Sequence, residues 1–216
     1  MAEEIVPVVF RKSPEYILSY NFVDYISKIG YINLYVLGAL DSSAAVDYII
    51  SPNLFPSYIR TVEPKIRAYV TAAGTENTGD VLKIDKDIDF FINKQIILNG
   101  KVIIKFPGYA KYVSDQFSIY WIVKVRKWDG TIETDLGSAK TETIPSVTTS
   151  DAVYFNILEI PISNKTLGYG EYLRVTIEGY VSGSANAGSV VGFWHDPEEN
   201  VTDSNFIISI PIKMEN

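Results

Sequence analysis

Across residues 116–128 the chain reads Gln-Phe-Ser-Ile-Tyr-Trp-Ile-Val-Lys-Val-Arg-Lys-Trp, and apolar side chains return at every second position. Phe117, Ile119, Trp121, Val123 and Val125 fall on one side. Ser118, Tyr120, Lys124 and Arg126 fall on the other, with Ile122 the exception. Successive side chains of a strand point to opposite faces, whereas a helix needs apolar residues three and four apart. The pattern predicts a long strand with one buried face. Inward residues as large as these need a second layer to cover them, which points to sheet packed on sheet. Asp129-Gly130 supplies a turn, and residues 131–133 are expected to return as a short partner strand. The outward Tyr120, Lys124 and Arg126 form a mixed surface suited to an acidic neighbour.

The rest of the chain repeats the theme. Residues 31–40, 46–50, 65–71, 81–91, 153–160, 171–181, 190–194 and 205–213 each read as strands, separated by Gly, Pro or Ser-rich breaks. In residues 81–91, Leu82, Ile84, Ile88 and Phe90 share one side, interrupted by Lys86, and Asp85, Asp87 and Asp89 share the other. Asn99-Gly100 is a strong hairpin signal between arms 95–98 and 101–106, with Pro107-Gly108 ending the second arm. Pro161 is expected to end the strand before it. Residues 137–150 read as a long polar connection, with a short edge strand near 141–144. Many strands and little helix give the fold class: an all-β, jelly-roll-like antiparallel β-sandwich. Residues 1–15 are expected to form an N-terminal arm or edge strand. Residues 16–216 are expected to be one sandwich domain, with 16–71 less regular and an alternative subdomain.

Composition removes several functions. There is no cysteine, so disulfides, thiolate metal sites and a cysteine nucleophile are excluded. The formal net charge of −7 disfavours direct nucleic-acid binding, because phosphate contacts need Lys or Arg. The basic triplet Lys124, Arg126 and Lys127 stands against that background. The longest apolar run, residues 31–40, is about half of what a membrane-spanning helix needs, and the acidic start Met-Ala-Glu-Glu-Ile lacks a signal-peptide pattern.

No motif fixes a chemistry. His195 is the only histidine. Its neighbour Asp196 points away from it in an extended segment, so the two are not a working pair. No nucleophile elbow and no phosphate-binding loop is present. The expectation is a non-enzyme with no cofactor. Asp85, Asp87 and Asp89 are calcium candidates, because carboxylates spaced by two share a strand face. Asp196, Glu198, Glu199 and Asp203 form a second acidic cluster. Trp128, Tyr109, Tyr112 and Tyr169 lie near loops and are the candidate platforms for a sugar. Asn164-Lys-Thr166 and Asn200-Val-Thr202 match glycosylation acceptors.

The C-terminal third carries a resemblance. Leu-Arg-Val-Thr-Ile-Glu-Gly at 173–179, Val-Val-Gly-Phe-Trp-His-Asp-Pro at 190–197 and Ile-Pro-Ile-Lys at 210–213 together resemble jelly-roll structural proteins of phages and related viruses. That resemblance implies a virion protein that forms or decorates a capsid. Its partners would be copies of itself and other virion proteins, and it carries over no catalytic residue. The alternative reading is a carbohydrate- or receptor-binding module, such as a fibre head, for which a glycan is the partner. Residues 1–10 are expected to add a strand to a neighbouring sheet.

Overall fold

The computed structural model describes residues 18–19, 29–40, 46–51, 65–69, 77–111, 117–147, 152–183, 189–194 and 206–213. The proposed arm at 1–15, Tyr112, His195 and the acidic cluster at 196–203 lie outside them. No helix occurs among the described residues. The strands are β1 (Leu18–Ser19), β2 (Ile29–Leu40), β3 (Val46–Ser51), β4 (Lys65–Tyr69), β5 (Asn77–Phe91), β6 (Ile96–Lys111), β7 (Phe117–Trp128), β8 (Glu133–Lys140), β9 (Ile144–Val147), β10 (Ala152–Leu167), β11 (Tyr172–Gly183), β12 (Val190–Trp194) and β13 (Ile207–Lys213).

They form two antiparallel layers. One runs β2-β13-β6-β10, with β3 beyond β2, and with β12 and then β4 flanking the far end of β6. The other runs β5-β11-β7-β8, with β9 continuing beside β7. Among the described residues, a single parallel bridge between Ile49 and Asp89 joins them along the β3–β5 edge. Four of these pairings are nested: β7 with β8, β6 with β10, β5 with β11 and β2 with β13. A long hairpin rolled up on itself gives this order, and it is the jelly roll, with two interlocked Greek keys.

The inner faces follow from period two. Leu34, Ile208, Ile104 and Leu158 lie in one row across the first layer, and all are buried. Opposite them sit Ile119, Trp121, Val123 and Val125 of β7 and Leu173, Val175, Ile177 and Val181 of β11. The inward face read from residues 117–125 is therefore the core face. Trp121 meets Phe106 and Phe193 edge-on, at 5.8 and 5.9 Å between ring centroids, and Phe206 closes the group at 5.6 Å from Phe106.

Several boundaries differ from the sequence reading. Asn99-Gly100 makes no hairpin; β6 runs straight through it. Gly100 adopts φ 134°, and both neighbouring strands shift register beside it, β10 between Ile162 and Lys165 and β13 between Ser209 and Ile212. The dipeptide thus serves a β-bulge, the other structure that uses a glycine at positive φ. Asn164, itself at φ 47°, donates its backbone N–H to the Asn99 side chain there.

Nor do the prolines end strands. Pro107 falls between the last β13 partner of β6, Lys105, and the first β12 partner, Gly108, so no registered strand lies beside it on that side. Pro161 lies in β10, which pairs only with β6, and a proline is tolerated on such an edge. The polar stretch after 133 is strand as well: β8 pairs with β7, and Thr141 then bonds the Trp121 backbone through both its N–H and its hydroxyl. In β5 a register shift between Gly179 and Tyr180 moves Leu82 outward, to 41% exposure, and lets Val81 pack on the core instead.

Candidate functional site

The outer face of the β5-β11-β7-β8 layer is a lattice of charge pairs. Its rows are set by register: Asp89, Arg174 and Arg126; Asp87, Thr176 and Lys124; Asp85, Glu178 and Ile122. The aspartates at 85, 87 and 89 do share a face, as period two requires. Arg174 grips Asp89 with two bonds of 2.7 Å, reaches Asp87 at 3.3 Å and also binds Glu133. Thr176 donates to Asp87 at 2.5 Å. Arg174 of the same chain is the cation that answers Asp87 and Asp89, and among the described residues no group of three or more His, Cys, Asp or Glu is placed to hold a metal ion.

The basic triplet is answered in the same way. Lys124 pairs with the buried Glu178, Arg126 with Glu133 and Asp135, and Lys127 with Glu171 at 2.9 Å. The acidic neighbour expected for the outward residues of β7 is thus the chain's own β8 and β11. Tyr120, expected at the surface, is 8% exposed. It stacks on Tyr180 at 5.1 Å, lies under the Lys140 ammonium and donates to Asp80 at 2.9 Å. Burial, with the Asp80 hydrogen bond, pushes its phenol up to about 12.

The candidate sugar platforms separate. Tyr109 is buried on the outer side of the other layer, edge-on to Trp194 at 6.2 Å, near the end of β6. Trp128 and Tyr169 lie at the opposite end, where the β5–β6, β7–β8 and β10–β11 connections meet. Phe91, Tyr172 and Trp128 are directly paired across β5, β11 and β7 and so stand side by side on one face. Trp128 is covered: Tyr172 lies against it at 5.1 Å, and the Arg174 guanidinium sits 4.0 Å over its ring. The open rings are Tyr169, 77% exposed, and Phe91, 45% exposed, 6.4 Å apart with planes at 73°.

Sequence reading missed Phe91 and Tyr172. Both fell inside predicted strands, and the signal was the aromatic residue at each strand's end. The backbone around them is tightly held. Ile92 donates to the Glu171 carbonyl at 2.8 Å and Gly170 donates to the Ile92 carbonyl at 2.9 Å. The Lys127 ammonium, and then the Gly168 N–H that donates to it at 2.6 Å, hold the Glu171 carboxyl below the usual range. Asp129 accepts from the N–H groups of Thr131 and Ile132, both at 2.8 Å, and fixes the β7–β8 turn.

No protein-family model matches the chain and no curated protein matches it. Solved structures do. An alpha-amino acid ester hydrolase aligns at TM-score 0.55 and 10% identity, over 83% of this chain and 36% of its own. A CocE/NonD family hydrolase from Staphylococcus aureus aligns at TM-score 0.39 and 13% identity, over 83% of this chain and 41% of its own. The infectious bursal disease virus Gx strain structure aligns at TM-score 0.34 and 9% identity, over 87% of this chain and 46% of that one. The first likeness shows a shared fold. The other two are too loose to argue from. The chain spans only about a third of the ester hydrolase, 36% of its length. A jelly roll occurring within a hydrolase chain does not speak for or against catalysis here, since function resides in the site and not in the fold.

Proposed function

We propose that the chain is a structural subunit of a virus particle, forming or decorating the capsid through contacts made by its β-sandwich. The observation that carries this reading is the outer face of the β2-β13-β6-β10 layer. Phe155 and Ile157 stand on it at 59% and 65% exposure. Ile157, Lys105, Ile207 and Tyr35 form one row by register, and Ile103 lies in the next row. The outer face of the opposite layer spends its side chains on internal ion pairs, whereas this one sets the exposed Phe155 and Ile157 beside the Lys101–Glu159 ion pair and the Ser209–Asn33 hydrogen bond. Adjacent exposed apolar residues on a folded protein mark a contact surface, and the occupant that fits is a second copy of the chain. Jelly rolls are used by viral capsid and lectin domains, and at the level of fold this is analogy.

On this reading residues 16–216 act as one unit, residues 1–15 extend to a neighbour, and the partners are other copies and other virion proteins. The location is the virion. No cofactor and no direct nucleic-acid contact is required. The test is the mass in solution by light scattering, with electron microscopy of any assemblies. The wild type is expected to associate, and the Phe155→Glu, Ile157→Glu double variant to run as a folded monomer. A wild type that stays monomeric at every concentration would sink the reading.

A further inference from the structure

We propose that the free edge of β10 pairs antiparallel with the same edge of a second copy, Phe155 of one opposite Ile157 of the other, so that two β2-β13-β6-β10 layers become one sheet. The inference rests on the assembly reading and names the seam through which two copies meet. Among the described residues β10 pairs with β6 alone, so its other edge is open. Two prolines show which residues face that edge. Pro161 lies opposite Lys101, and Pro107 lies opposite Phe155. A pair that exchanges two N–H···O bonds has no place for a proline, so neither of these pairs is hydrogen-bonded. Non-bonded pairs recur at every second residue of an antiparallel ladder, and positions 155 and 161 agree with that rhythm. Val153, Phe155, Ile157, Glu159 and Pro161 therefore turn their backbone groups away from β6, toward the open edge.

The two halves of that edge differ. Strand edges are normally blunted by proline, lysine or a bulge, or they are covered. Beyond residue 160, β10 shows each of these. Pro161 and Lys165 lie there, with a register shift between Ile162 and Lys165. Gly137 of β8 comes so close that a Cβ on it would lie 2.7 Å from the Ile160 side chain and 3.4 Å from the Pro161 carbonyl oxygen. Residues 153–159 contain no proline, no lysine and no register shift. The one charged side chain in that segment, Glu159, is held by Lys101 at 2.6 Å. Phe155 and Ile157 stand exposed beside the open backbone groups. Asn156 spends its amide on the Tyr154 and Phe106 carbonyls.

An open edge of this kind takes an extended strand, through bonds between backbone groups. The strand that fits is the same segment of another copy, because the segment is its own complement. In an antiparallel pair turned about a two-fold axis at Asn156, Phe155 faces Ile157 on both sides of the axis, and Val153 faces Glu159 beyond them. Each of these pairs exchanges backbone bonds, since all four residues face the edge. The exposed apolar groups of both copies become direct cross-strand neighbours. The contact uses the same patch twice, so it closes at two copies. An axis at Ile157 would instead set Phe155 against Glu159 in both copies. The next outward position is Pro161, which has no N–H to give, and the seam ends there.

The experiment is sedimentation velocity on the full chain, with proline and threonine at position 157. Ile157→Pro removes an outward N–H and no bond to β6, so it should fold and weaken the association about tenfold or more. Ile157→Thr keeps the N–H and should weaken it less. A second measurement needs no proline. Lys105 is exposed on β6 opposite Ile157, and the chain has no native cysteine, so Lys105→Cys carries a single nitroxide. In the proposed pair the two labelled positions lie three strand spacings across and two residues along, about 16 Å apart by electron paramagnetic resonance. An association that Ile157→Pro leaves intact, that Ile157→Thr weakens more than Ile157→Pro does, or that shows no label distance near this value overturns the proposal and leaves the assembly reading standing. A wild type that is monomeric at every concentration overturns both.

Discussion

Trp121 occupies the middle of the sandwich because two backbone positions facing it lack side chains. A Cβ on Gly179, its direct partner on β11, would lie 2.5 Å from the indole ring. A Cβ on Gly108, across the core, would lie 3.1 Å from its Nε1. Gly179→Ala is therefore expected to destabilise by about 1–3 kcal/mol through overpacking, measured by denaturant unfolding. Adding Trp121→Phe should recover part of that loss, because the smaller ring frees the space and removes a buried N–H that has no partner. Additive losses in the double variant would show that the ring is not what Gly179 accommodates. The sequence displayed the tryptophan on the inward side of a strand, since alternation is local. It did not display the glycines as its complement, because that pairing depends on register between strands 58 positions apart (121 and 179).

At the scale of the element, the outer face of β5-β11-β7 is held by cross-strand charge. Arg174 is the hub, and Asp87, Asp89 and Glu133 all converge on it. Its replacement by Met leaves three acids side by side, and a loss of about 2 kcal/mol is expected from broken charge-assisted hydrogen bonds, read from urea unfolding. A loss within error would mean that solvent replaces the guanidinium without cost. Tyr120 gives the same layer an alkaline limit. Its folded pKa, about 12, lies above the ordinary 10.0. The neutral phenol is thus favoured by folding, and that contribution is complete below pH 10 and lost as pH rises toward 12. Two units correspond to about 3 kcal/mol. Tyr120→Phe should flatten the fall in stability across that window, followed by circular dichroism. Period two made the shared face of Asp85, Asp87 and Asp89 legible from the sequence. Which cation answers Asp87 and Asp89 was not, because Arg174 is brought there only by pairing. The same limit explains Asn99-Gly100 and Pro161: a local turn or breaker signal yielded to neighbouring strands that supplied a bulge and an open edge.

For the whole molecule, the two outer faces divide the work. One is closed by its own ion pairs; the other exposes Phe155 and Ile157. The end where three connections meet carries the open aromatic corner. If the assembly reading holds, mass should fall with substitutions on the Phe155 and Ile157 face and stay constant with substitutions at the corner. The nested order also bears on how the chain reaches this state. β7 and β8 are adjacent in sequence and pair at once, whereas β2 must wait for β13, with Ile29 opposite Lys213. Pairings this distant close slowly, because a large loop must be ordered before any contact offsets it. Until β13 is in place, β2 and β6 each lack the neighbour that belongs between them. A chain cut after Trp194 should consequently be trapped by chaperones or precipitate, and adding residues 206–213 back as a separate peptide should rescue it in proportion to peptide concentration.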